Sequence, residues 1–333
     1  MLNNKIICGN CLEELGRLDD DSIDLIITSP PYFKQRKYTE SDLEIGEEET
    51  VDKYIWTLRK IFNECYRICK PTGNIVFNIG DKYIKGSLQL IPHYFAIAVT
   101  QHCPEAMLIN DITWVKTNPT PKPHKKRLVN TTESFFHFAK SKDYYYNIDS
   151  WYVDDFQEEK YNCEGDLIKR SEKKGKRYFD LIKKSNLSIG QQVIAQMKLG
   201  QTINDYQQGI IEDFRMKIKG IHKPAYGGQQ GGRNNEMEKK GFTIIRMSGK
   251  PMKRDIIDSP VANTKNIDHP AVFPLEVIKS MIRLLSKEND VVLDPFSGSG
   301  TVCVAAKQLN RRYIGIDLNP DYCKSAEERI LKC

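Results

Sequence analysis

The sequence lacks the features that mark several broad classes. No stretch of its 333 residues reaches the roughly 18 consecutive apolar residues of a membrane span. Residues 1–10 lack the basic-then-apolar layout of a secretory leader. Both absences predict a cytoplasmic protein with no membrane partner. The nine cysteines are an odd number at no framework spacing, which excludes a disulfide scaffold and predicts free thiols. Cys8 and Cys11 form a C-x-x-C, but no second C-x-x-C and no His pair at zinc spacing follows. No metal is expected.

What is present fits a globular chain, with 40% hydrophobic and 28% charged residues. The formal net charge is +6, and its distribution is uneven. Residues 151–260 hold 21 Lys/Arg against 15 Asp/Glu, while the remainder holds 29 of each sign. The whole basic excess therefore lies in one central block, the candidate surface for a polyanion.

Strand and helix patterns alternate on both sides of that block. Near the C-terminal end, Val291, Val292 and Leu293 form an apolar strand that runs into Asp294-Pro295-Phe296-Ser297-Gly298-Ser299-Gly300-Thr301. A helical stripe of Val302, Ala305, Ala306 and Leu309 follows, then a strand at 313–316 ending on Asp317. Asn319-Pro320 opens a final helix. In the N-terminal part, short strands are predicted at 6–7, 24–28 and 74–79, and helices over 12–18 and 88–101. Ile55, Leu58, Phe62, Cys65 and Cys69 give another helical stripe, and 111–115 and 134–138 read as strands. Residues 33–50 read as a polar loop. Such alternation predicts an α/β fold with a doubly wound, mostly parallel sheet. Its expected parts are residues 1–150, a central insertion over 151–262, and 263–333. Within the insertion, the Gly-, Gln- and Asn-rich stretch 222–241 reads as a flexible loop.

A strand ending in Asp, then a Gly-rich turn and a helix, is how α/β folds hold a nucleotide-like ligand. Gly298 and Gly300 allow close backbone approach. Asp317, at the end of the next strand, can accept hydrogen bonds from a ribose diol. Two carboxylates disfavour a pyrophosphate and suit a ligand carrying positive charge, such as a sulfonium.

The string Asp294 to Thr301 resembles the S-adenosylmethionine-binding motif of amino-group DNA methyltransferases, and Thr28-Ser29-Pro30-Pro31-Tyr32 resembles their catalytic motif. The catalytic motif precedes the cofactor motif, an order similar to that of the β class of the family, a circularly permuted Rossmann-like arrangement. Smaller matches are His269-Pro270-Ala271 with Phe273-Pro274, Trp114-Val115-Lys116 with Asn118 and Pro121, and Thr132-Glu133. The resemblance implies that Asp294, Phe296, Gly298, Ser299, Gly300 and Thr301 hold S-adenosyl-L-methionine and that Asp317 holds its ribose. It places Asn10 and Cys11 near the adenine, with Asn10 where the family usually has Asp, and His269 and Phe273 beside the cofactor. It also implies double-stranded DNA as partner, a cognate restriction endonuclease, a prokaryotic or phage cytoplasm, and a monomer or homodimer.

The chemistry of the first motif fits that role. The lone pair of an exocyclic amino nitrogen is delocalised into the base ring, so catalysis must draw it out of the plane. Pro30 and Pro31 fix an extended turn that holds the Pro30 carbonyl as one acceptor, and Ser29 Oγ offers a second. Tyr32 gives a face on which an extruded base can stack. By family association, Ser in the first position goes with cytosine N4 and Asp with adenine N6, so cytosine N4 is the expected target and adenine N6 the alternative. Cytosine C5 chemistry needs a Pro-Cys nucleophile, and this chain has only the reversed Cys103-Pro104. In the central block, Lys173, Lys174, Lys176 and Arg177 suit phosphates, and Gln229, Gln230 and Arg233 suit base edges. Rival readings are an RNA or protein-amide methyltransferase, and a DNA-binding protein without catalysis.

Overall fold

The computed structural model describes residues 4–36, 44–119, 126–151, 170–208, 210–211, 213–222, 233–247, 253–262 and 273–333. In chain order the first elements are β1 (Lys5–Cys8), α1 (Cys11–Gly16), β2 (Ile23–Thr28), α2 (Val51–Ile68) and β3 (Cys69–Ile79). A small hairpin of β4 (Tyr83–Ile84) and β5 (Ser87–Leu88) precedes α3 (Ile91–His102), β6 (Met107–Lys116) and β7 (Thr132–Ala139). The central region contributes α4 (Arg170–Lys183), α5 (Ile189–Gln207), β8 (Asp213–Ile218), α6 (Arg233–Lys240) and β9 (Phe242–Met247). The chain ends with β10 (Ile256–Ser259), α7 (Leu275–Leu285), β11 (Val291–Asp294), α8 (Thr301–Gln308), β12 (Arg312–Asp317) and α9 (Pro320–Leu331).

Among the described residues, eight strands form one sheet in the order β1-β12-β11-β2-β3-β7-β6-β10. Only β7 runs antiparallel to its neighbours; the other pairings are parallel. The expected doubly wound, mostly parallel α/β sheet is therefore present. Its strands are apolar on both faces because both are covered, as β2 shows. Ile26 belongs to one core with residues of α1, α2 and α3, such as Leu15, Phe62 and Phe95. Leu25 and Ile27, pointing the other way by strand alternation, belong to a second core with Met281 of α7 and Ala305 of α8. The α2 stripe holds as predicted up to Cys65, but Cys69 is already the first residue of β3. Among the described residues no helix is long and apolar enough to cross a membrane.

The chain divides into two compact units, residues 1–153 with 253–333, and residues 154–252. The expected insertion boundary at 262 moves inward, because β10 pairs with β6 along Ile256–Ser259 and completes the large sheet. The second unit has its own core of Ile182, Leu199, Phe214, Met216, Ile218 and Phe242. Its strands β8 and β9 form an antiparallel pair. Part of the stretch predicted as a loop is helical. Residues 233–240 form α6, whose Glu-Met-Glu-Lys-Lys run consists of strong helix formers. There Met237 is buried, and Glu236 accepts hydrogen bonds from Lys240 Nζ (2.9 Å) and Thr243 Oγ1 (2.7 Å).

Candidate active site

Parallel pairing sets the carboxyl ends of four strands side by side. Cys8 of β1 lies opposite Asp317 of β12, Gly315 of β12 opposite Asp294 of β11, and Leu293 of β11 opposite Ile26 of β2. In open α/β sheets this edge is where ligands bind. The turn after β2 carries Ser29, Pro30, Pro31 and Tyr32, and the turn after β11 carries residues 295–300. Thr28 Oγ1 donates to Asp294 Oδ1 at 2.7 Å, a buried hydrogen bond between residues 266 apart in sequence.

Both turns line one cavity of about 760 Å³. Of the residues implicated by sequence, Asn10, Cys11, Ser29, Pro30, Pro31, Tyr32, Phe273, Asp294, Phe296, Gly298, Ser299, Thr301 and Asp317 line it. Gly300 sits just behind as the N-cap of α8, with φ of +76°. A Cβ there would lie 2.8 Å from Ala326 Cβ, so only glycine fits. His269 lies outside the described residues.

The side of the cavity at the ends of β11 and β12 is acidic. Asp317 Oδ2 accepts from Gly298 N (2.7 Å) and Oδ1 from Asn319 N (2.9 Å). A carboxylate has about four acceptor sites, so Asp317 can still take a further donor. Asp294 is buried, and its Oδ1 also accepts from Phe296 N at 3.0 Å. Burial raises its carboxyl to about 7, with a smaller upward push from Asp317. Burial also raises Asp317. A cation bound beside them would favour the ionised form of both. Asn10 caps α1, its Oδ1 accepting from Leu12 N (3.0 Å) and Glu13 N (3.3 Å). The side-chain carbonyl of Asn10, which the resemblance places near the adenine, is thus already engaged as a helix cap. Burial pushes the Cys11 thiol up to about 12, far from a reactive thiolate.

The opposite wall is built around Tyr32. Its hydroxyl lies 2.5 Å from Asn78 Oδ1 and 3.1 Å from Glu133 Oε2, within donating distance of both, and accepts from Ser29 Oγ at 3.3 Å. Glu133 is paired with Lys116, and Asn78 is fixed by donating from Nδ2 to the Ser134 carbonyl at 3.1 Å. Burial, and next the Glu133 charge, push the Tyr32 phenol well above its ordinary range. Tyr54 Oη donates to the Pro31 carbonyl at 2.8 Å. Among the described residues no hydrogen bond reaches the Pro30 carbonyl, which leaves it available as an acceptor. Cys103 does not line the cavity, and burial raises its thiol.

Sequence patterning gives no role to Asn78, and none to Glu133 or Lys116 beyond a motif match. A signal for Asn78 exists, since it is a polar residue inside the apolar run Ile75-Val76-Phe77-Asn78-Ile79 and is fully buried. Such a residue needs a partner. Of the proposed DNA-contacting residues, Lys173, Lys174, Lys176 and Arg177 lie on α4, where Lys176 and Arg177 are exposed. Arg233 opens α6, and Gln229 and Gln230 lie outside the described residues.

The model of the DNA methylase family, which spans N6 and N4 methyltransferases, matches residues 23–328. The chain belongs to this family. The family's cofactor is S-adenosyl-L-methionine. Among curated relatives, the type II methyltransferase M.SfiI of Streptomyces fimbriatus is 26% identical over 94% of this chain and 88% of its own length. Among solved structures, the PvuII DNA methyltransferase (cytosine-N4-specific) superposes with a TM-score of 0.60 at 17% identity, over 98% of this chain and 86% of the other. The M1.HpyAVI–SAM complex superposes with a TM-score of 0.52 at 18% identity, over 98% of each chain. Both structures share the fold.

Proposed function

We propose that this DNA methylase transfers a methyl group from S-adenosyl-L-methionine to the exocyclic N4 of cytosine in double-stranded DNA. In this reading it is the modification enzyme beside a restriction endonuclease in a prokaryotic or phage cytoplasm. The observation that carries the proposal is the Thr28–Asp294 hydrogen bond, which ties the two motif-bearing turns to one cavity. Ser29 in the first motif position and the cytosine-N4-specific structural neighbour favour cytosine, and the type II relative favours a modification role.

The cavity volume suits a nucleoside-sized ligand together with a base. The bound cofactor supplies an electrophilic methyl group on a positively charged sulfur. Asp317 holds the ribose hydroxyls, and Asp294 supplies negative charge near the methionine end. Gly298 allows the backbone close to the ligand, and Gly300 lets α8 start behind it against Ala326. The target base leaves the duplex to reach the cavity and stacks on Tyr32, an interaction worth roughly 1–3 kcal/mol. The Pro30 carbonyl and Ser29 Oγ accept the two amino hydrogens and aim the nitrogen lone pair. Because Ser29 can donate its own proton to Tyr32, its lone pairs stay free for the base. Alignment of this kind can supply ~7–11 kcal/mol of the barrier lowering. The unit over residues 154–252 supplies DNA contacts, with Lys173, Lys174, Lys176 and Arg177 on phosphates.

The test is to express the chain in cells free of other modification enzymes, digest their DNA to nucleosides and identify the product by mass spectrometry. N4-methylcytosine is expected. N6-methyladenine alone would overturn the choice of base, and unmodified DNA would overturn the activity.

A further inference from the structure

The most exposed large apolar side chain among the described residues is Leu128, at 90%. It lies on the segment 126–131 that leads into β7. Its neighbours Arg127, Val129 and Asn130 line the cavity, while Leu128 between them projects into solvent. The segment is anchored rather than loose. Lys116 N donates to the Thr131 carbonyl at 2.8 Å, and Asn130 Oδ1 accepts from Thr132 N at 3.3 Å. The Arg127 guanidinium lies over the Tyr83 ring, 3.5 Å from its centroid, and Tyr83 also lines the cavity. Lys126 and Arg127 are exposed beside Leu128.

A lone apolar residue on a surface needs no explanation. One flanked by residues that line the cavity, with two cations next to it, is a different case. The cations suit phosphates on either side of a duplex. An apolar side chain at that place has a ready partner in the gap left when a base is extruded, because inserted apolar wedges hold neighbouring base steps apart. The geometry points to Leu128 as the wedge that enters the DNA stack and fills the place of the extruded target base, with Lys126 and Arg127 on the flanking phosphates. This rests on the proposed DNA-methylating function and adds the residue that drives extrusion.

The test uses the full chain and a duplex carrying the site at which DNA from expressing cells is modified. A second duplex is identical except for an abasic position opposite the target, so that the base is already unpaired. With Leu128→Ala, single-turnover methylation of the paired duplex is expected to slow roughly tenfold, and that of the abasic duplex by less than about twofold, because the wedge acts on extrusion alone. Leu128→Met, which keeps an apolar side chain of similar reach, is expected to stay within about twofold of the original on both. Equal slowing on both duplexes, or none on either, would overturn the wedge and leave the methylating function standing. Failure of the unaltered protein to methylate the paired duplex would overturn both.

Discussion

Gly80 leaves no room behind Tyr32. A Cβ at this position would lie 2.2 Å from Tyr32 Cε2, so any larger residue must push the ring into the cavity. Gly80→Ala is predicted to lower single-turnover methyl transfer roughly 100-fold, since a misplacement of about 1 Å can carry that penalty. Cofactor affinity, measured by calorimetry, should stay within about twofold, because Asp294 and Asp317 lie on other strands. A second prediction at this scale concerns Asp294. With burial raising its carboxyl to about 7, the cofactor-free folded protein holds a proton that an unfolded Asp releases near pH 4. Stability of the cofactor-free protein should therefore fall as pH rises from about 4 to about 7. Binding of a cation favours the ionised form, so affinity for S-adenosylmethionine should rise over the upper part of the same window. Asp294→Asn should flatten both profiles, in chemical denaturation and in calorimetric titration.

At the scale of elements, the tie between β11 and α8 depends on one backbone conformation. Gly300 adopts a left-handed φ of +76° against Ala326 where α8 starts directly after the glycine turn. Gly300→Ala is predicted to destabilise the protein by about 1–3 kcal/mol in urea unfolding and to weaken cofactor binding more than it slows transfer at saturating cofactor. This part of the site was legible in the sequence. Short apolar runs ending in Asp294, Asp317 and Thr28 announce strands whose carboxyl ends border one cavity, and the glycines mark the turn. The Tyr32 cluster was not legible. Asn78 and Glu133 lie 46 and 101 residues from Tyr32, and they meet it only because β3 and β7 pair next to β2. Strand β10 was missed for a related reason. Its four residues alternate exposed and buried too briefly to signal, and its partner β6 lies more than a hundred residues earlier.

For the whole molecule, charge and fold are separated. The sheet-bearing unit was readable as alternating elements, whereas the unit over 154–252 was not. Its core is small, and its helix α4 is dominated by lysine and arginine, so the apolar stripe is thin. The basic excess that sequence alone located there belongs to a folded unit with its own core. Replacing Lys176 and Arg177 together by Ala should weaken DNA binding in fluorescence anisotropy. The slope of log affinity against log salt should become shallower by roughly 0.9 for each phosphate no longer neutralised. An unchanged slope would remove these two residues from the DNA surface. Melting temperature should barely move, because both side chains are exposed.

The pairing of β2 with β11 also sets a timetable for biosynthesis. Asp294 is added 266 residues after Thr28, and at ~5–20 residues per second that interval is roughly 13 to 53 s. Throughout it one side of β2 has no neighbouring strand, and the cavity lacks the wall that residues 294–299, Thr301 and Asp317 supply. A ribosome stalled in this interval would therefore release a sticky fragment without enzymatic power, fit for proteolysis. In the proposed role, host DNA gains protection only once the late-made strands slot into the middle of a sheet begun roughly 13 to 53 s earlier.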